Sequence, residues 1–131
     1  MSGINILAVV VAALAAFVAS AVWYIVFGKE LAKVSAAFAK GLQKRQPWKM
    51  LVVIAQSLII ALVLAYLLGL VGKLDWLGAL GLGILLWIGL AAMQWVWSIL
   101  WENVPLKMAA IHAGDWLVKL VFIAVIVGVW R

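Results

Sequence analysis

Residues 108–130, MAAIHAGDWLVKLVFIAVIVGVW, decide how many times this chain can cross a membrane. A hydrocarbon core about 30 Å thick needs about 20 apolar residues in a helix. The part of the stretch free of ionisable groups, Leu120 to Trp130, has only eleven residues and cannot span. Either the helix begins near Met108 and takes His112, Asp115 and Lys119 into the bilayer, or the segment turns back at the surface and the chain crosses three times. The preceding connection, ENVPLK (102–107), is short. Trp130 suits an interface at the far end. Four crossings are therefore expected.

The rest of the chain supports a lipid environment. Of 131 residues, 70% are hydrophobic and 11% charged, with a mean hydropathy of +1.29. Soluble domains carry roughly 45–50% apolar and about 25% charged residues, and a chain this short has too little interior to hide the difference from water. Three further stretches are long enough to span: Ile4 to Phe27, Met50 to Val71 and Leu77 to Leu100. The first, within MSGINILAVVVAALAAFVAS and the AVWYIVF that follows, lacks a basic leader and outruns a signal-peptide core, so a retained helix is expected. The expected fold is an all-α transmembrane domain over residues 1–131, with helices at about 4–27, 50–71, 77–100 and 108–130. With no cysteine, disulfides, thiolate metal sites and cysteine nucleophiles are excluded.

The net charge of +6 does not point to nucleic acid. Six of the ten basic residues, Lys29, Lys33, Lys40, Lys44, Arg45 and Lys49, fall in the connection after the first span. That clustering suits anionic headgroups of a cytoplasmic leaflet and places both termini outside. At 100° per residue Leu31, Val34, Phe38 and Leu42 form one stripe, with Lys29, Lys33, Lys40 and Lys44 opposite. The pattern predicts an interfacial helix over about 29–44, stopped by Pro47.

Ala8, Ala12, Ala16 and Ser20 repeat every fourth residue and allow close helix approach, within the chain or at an oligomer seam. Gly78, Gly81, Gly83 and Gly89 do the same on the third helix. A homo-oligomer, with a dimer favoured, is expected on that ground. Of the nine tryptophans, Trp23, Trp48, Trp95, Trp97 and Trp101 fall toward one boundary and Trp76 and Trp130 toward the other, as an aromatic belt does. Trp87 lies too deep for a belt.

His112, Asp115, Trp116 and Lys119 project from one side of the fourth helix, and Asp115 and Lys119 stand at the i,i+4 spacing of an ion pair. Counted from Met108, Lys119 lies about 16 Å along the axis, near the midplane. A lone charge there costs at least about 2.5–3.5 kcal/mol. On the third helix Gly83, Trp87, Gln94, Ser98 and Trp101 share one side, with Glu102 at its edge where the helix leaves the membrane, and Gln56 on the second lies at a comparable depth. The expected polar cluster is Gln56, Gln94, Ser98, Glu102, His112, Asp115 and Lys119. It is either a satisfied network that fixes helix register or a water-accessible site for a small solute, an ion or a proton. No catalytic triad, metal-ligand spacing or cofactor motif is legible.

INILAVVVAALAAFVASAVWYIVFGK (4–29) and AGDWLV (113–118) resemble the small bacterial membrane proteins grouped as domain-of-unknown-function family 1761. The most specific part is the set Trp23, Tyr24, Phe27, Gly28 and Lys29. The resemblance implies four transmembrane helices in a bacterial inner membrane and no particular activity. This chain departs from that family's pattern at His112 and Asp115, where asparagine and tyrosine are usual. Two classes of function remain open: a transporter- or channel-like protein using the polar cluster, or an accessory subunit of a larger membrane complex.

Overall fold

In the computed structural model, which describes residues 4–43, 47–72 and 75–130 and the side chains of all of these except 41–43, the first helix starts at Asn5. The Asn5 side chain accepts a hydrogen bond from the Ala8 N–H at 3.1 Å and so caps α1, Ile6–Val34. Ser35 then breaks the chain: its N–H bonds the Leu31 carbonyl at 2.9 Å, and its hydroxyl accepts from the Phe38 N–H at 3.2 Å. One residue closes α1 and opens α2, Ala36–Gln43. Next come α3, Pro47–Val71, and α4, Trp76–Leu86, the latter capped by Asp75 through the Gly78 N–H at 2.8 Å. Gly72, at φ +109°, ends α3 in backbone that only glycine adopts without strain. A π-helical turn, Trp87–Ala92, joins α4 to α5, Met93–Glu102. Asn103 takes the left-handed conformation after α5, and Pro105 leads into α6, Leu106–Val129.

Among the described residues four helices are long and apolar enough to cross a membrane: α1, α3, the continuous α4–π–α5 rod and α6. The fourth therefore begins at Leu106 and contains His112, Asp115 and Lys119, and the three-crossing arrangement is set aside.

Two expectations are corrected in detail. The first helix does not end near Phe27, because Leu31 is fully buried and Glu30 pairs with Lys33 along the helix at 3.3 Å, so nothing stops the register until Ser35. The interfacial segment is correspondingly shorter and confined to α2. Its Phe38 folds back toward Gly28 and Tyr24, with the Tyr24 and Phe38 ring centres 6.0 Å apart. Lys29, Lys33 and Lys40 are exposed, as is Lys49 at the start of α3. Lys44 and Arg45 lie outside the described residues, and so does the side chain of Leu42.

α6 is the centre of the bundle. It packs against α1, α3 and α4, while α1 also packs against α3. Ala8, Ala12 and Ala16 are fully buried and Ser20 is buried with them. The small-residue face of α1 is thus spent on packing inside the chain, in a core with Leu64 and Leu68 of α3 and Ile123 and Val127 of α6. Glycine serves the same close approach on the other side: a methyl group at Gly83 would stand 3.0 Å from the Ala124 side chain, and one at Gly128 would overlap Ala79. α3 hardly touches the third span. Between them lies a cleft of about 310 Å3, walled by Leu64 and Leu90 and floored by Trp116 and Leu120 of α6.

Candidate functional site: a buried ion pair in the central helix

α6 carries the site. Lys119 Nζ lies 3.1 Å from Asp115 Oδ2 along the helix, and the two residues are only 5% and 2% exposed. A pair made within one helix turn forms before the helices assemble, so neither charge has to await a partner from another segment. The Trp116 ring lies 5.3 Å from the Lys119 ammonium and adds a cation–π contact. The other carboxylate oxygen, Asp115 Oδ1, is buried with no hydrogen-bond partner, a costly state for a charged group.

One turn nearer the start of α6, His112 Nδ1 and the Tyr24 hydroxyl share a hydrogen bond at 2.6 Å. The Tyr24 hydroxyl also lies close enough to Asp115 to feel its charge. Trp95 of α5 stacks on the imidazole, ring centres 5.0 Å apart and planes 14° from parallel. The backbone between these groups is held by two tryptophans. Trp23 Nε1 donates to the Ile111 carbonyl at 2.9 Å and Trp87 Nε1 to the Ala113 carbonyl at 2.7 Å. A helix carbonyl has a second lone pair beyond its own backbone bond, so both indoles are satisfied without breaking α6. Gly114 lets the Trp23 ring lie against the helix: a methyl group there would overlap the indole.

Of the expected cluster, the structure brings His112, Asp115 and Lys119 onto one inner face and leaves the other four apart from it. Gln56 is exposed on α3, and Glu102 is exposed at the end of α5. Gln94 is also exposed, at the edge of the cleft between α3 and the third span, and the Ser98 hydroxyl donates to the Gln94 carbonyl at 3.2 Å.

Gln56 is off the face that α3 buries, which runs through Ser57, Ala61, Leu64 and Leu68. For the residues of α5 the physical reason is the π turn. It accommodates one residue more than an α-helical turn and rotates everything after it by about 100°. The face turned to α6 is therefore Gly83, Trp87, Ala91 and Trp95, four apart throughout, where an unbroken helix would present Gly83, Trp87, Gln94 and Ser98. Trp23 and Trp95 are likewise drawn from the expected belt into the site. Tyr24 was the missing member, although the four-residue step of Ala8, Ala12, Ala16 and Ser20 continues through Tyr24 to Gly28.

The result is an imidazole, a phenol, a carboxylate and an ammonium placed in succession inside an apolar bundle. Among the described residues no three His, Asp or Glu side chains converge as a metal site requires. No curated protein and no solved structure matches the chain. A family model described as "Protein of unknown function (DUF1761)" matches residues 7–128, nearly the whole length, and the chain belongs to that family.

Proposed function

We propose that this is a small transporter- or channel-like protein of the bacterial cytoplasmic membrane, with both termini outside, and that the species it moves is the proton. The observation that carries the reading is the buried Asp115 carboxylate close to the hydroxyl of Tyr24, which itself bonds His112. Ionisable groups inside a membrane mark proton and ion paths. A phenol between an imidazole and a carboxylate can accept a proton from one as it gives its own to the other, which is what passing a proton requires. Two grooves of the described structure, one between α1 and α6 and one between α3 and the third span, are apolar, so a relay through side chains suits this bundle better than a water-filled pore for a larger solute.

The test is proton entry into liposomes holding the purified chain, read with an internal pH-sensitive dye under a potassium diffusion potential. The parent is expected to exceed protein-free liposomes, and Asp115→Asn with Lys119→Met is expected to fold yet fall to the protein-free rate. Equal flux from parent and double variant would make the network a register device alone. External labelling of Gln43→Cys in intact cells would reverse the orientation.

A second reading, an accessory subunit or a homodimer, is favoured by Gly81 and Gly89, which face open space on the third span. Their positions could seat another helix closely. A stoichiometric partner co-purified from native membranes would support the first form. Twice the chain mass by light scattering in detergent would support the second, and single-chain mass would count against it.

A further inference from the structure

The outer seam between α1 and α6 holds a groove of about 790 Å3. It is lined along α1 by Val11, Val18, Val22 and Val26, and on α6 by Val118 and Phe122. From Val11 to Val26 it runs about 22 Å along the helix axis. That is longer than one leaflet, about half of the roughly 30 Å hydrocarbon core. The groove can therefore seat one acyl chain lengthwise.

Its end is charged. Because α1 continues unbroken to Val34, the phase of the groove carries on past Val26. The steps 11, 18, 22, 26, 29 and 33 keep one face at 3.6 residues per turn, which brings Lys29 and Lys33 into line with the valines. On α6, Lys107 lies eleven residues before Val118, three turns back on the same side. Glu30 ties the two helices together there, pairing with Lys33 at 3.3 Å and with Lys107. Three lysines against one carboxylate leave this end of the groove cationic, directly in line with a purely apolar channel. That is the charge distribution of an anionic amphiphile in reverse.

We infer that the α1–α6 groove binds an anionic phospholipid, one acyl chain along the valine face and the phosphate at Lys29, Lys33 and Lys107. The site is separate from the Asp115–Lys119 network and stands or falls independently of proton movement. It also gives Lys29 and Lys33 a more specific task than general attraction to a leaflet, since Lys40 lies on α2 and Lys49 on α3, neither of which lines the groove.

Native mass spectrometry of the full chain in detergent tests this, titrating phosphatidylglycerol and phosphatidylcholine with identical acyl chains. The parent is expected to retain one phosphatidylglycerol in preference to phosphatidylcholine. Lys29→Gln with Lys33→Gln should weaken phosphatidylglycerol binding by roughly 30-fold, the combined effect of two lysines near a headgroup. Lys40→Gln with Lys49→Gln should leave it unchanged. Val18→Trp, which fills the groove from a lipid-facing position, should weaken both lipids. Circular dichroism checks that each variant is helical, and the exposed lysine pair carries the test if Val18→Trp does not fold. Equal retention of the two lipids by the parent would overturn the site. So would equal losses from the two lysine pairs, full binding by a folded Val18→Trp, or a second copy of the chain held in place of lipid.

Discussion

Gly114 and Trp23 set the geometry of the site at the smallest scale. The indole can reach the Ile111 carbonyl only because residue 114 has no side chain in its path. A methyl group there must push the ring aside and strip its hydrogen bond. Gly114→Ala should therefore destabilise the folded chain by about 1–3 kcal/mol, as overpacking does. Thermal unfolding in one detergent checks it, and Trp23→Phe should make the second substitution nearly harmless because the two effects share a cause. An unchanged melting temperature for Gly114→Ala would mean that the close approach is absent. The local part of the site was legible in the sequence: Asp115 and Lys119 pair within one helix turn, so spacing alone places them together. Tyr24 and Trp95 come from other helices, 88 residues before His112 and 17 before it, and only the packing of those helices shows which side chain meets the imidazole.

The π turn is the element that most changes what the third span presents. Hydropathy and length define that span well, because apolar residues run through the turn without interruption. They carry no trace of one extra residue in the helical phase, which is why the sequence points to Gln94 and Ser98 for the polar cluster and to Trp95 for the aromatic belt. Similarly, nothing in the composition of residues 28–34 distinguishes a continued α1 from a separate surface helix until the capping side chain of Ser35 is considered. Deleting Gly89 removes the extra residue, and so should convert the turn to ordinary α-helix while keeping Trp95 on the imidazole. His112 is the single histidine of the chain, so its ring protons can be followed by NMR without assignment. Stacking under Trp95 should shift them upfield in the parent; the Gly89 deletion should keep that shift and Trp95→Ala should abolish it. Loss of the upfield shift on deletion would mean that the turn does not set the phase.

At the scale of the whole molecule, α6 is the helix against which the other spans assemble, and it is also the most polar span. Four crossings were legible because 20-residue apolar runs leave few alternatives in lipid. The one ambiguous segment is resolved by burial: a helix holding Asp115 and Lys119 can serve as the centre because the pair cancels most of its own charge. Removing one member strands the other in a low-dielectric interior. Global stability in a single detergent, compared for the parent, Asp115→Asn, Lys119→Met and the double variant, tests this most directly. Each single substitution should lose about 3–5 kcal/mol, and the double variant should lose less than either because no charge is left unmatched. Single variants as stable as the parent would contradict the account, since Asp115 and Lys119 would then be solvated and the fourth helix could not be the buried centre of the bundle.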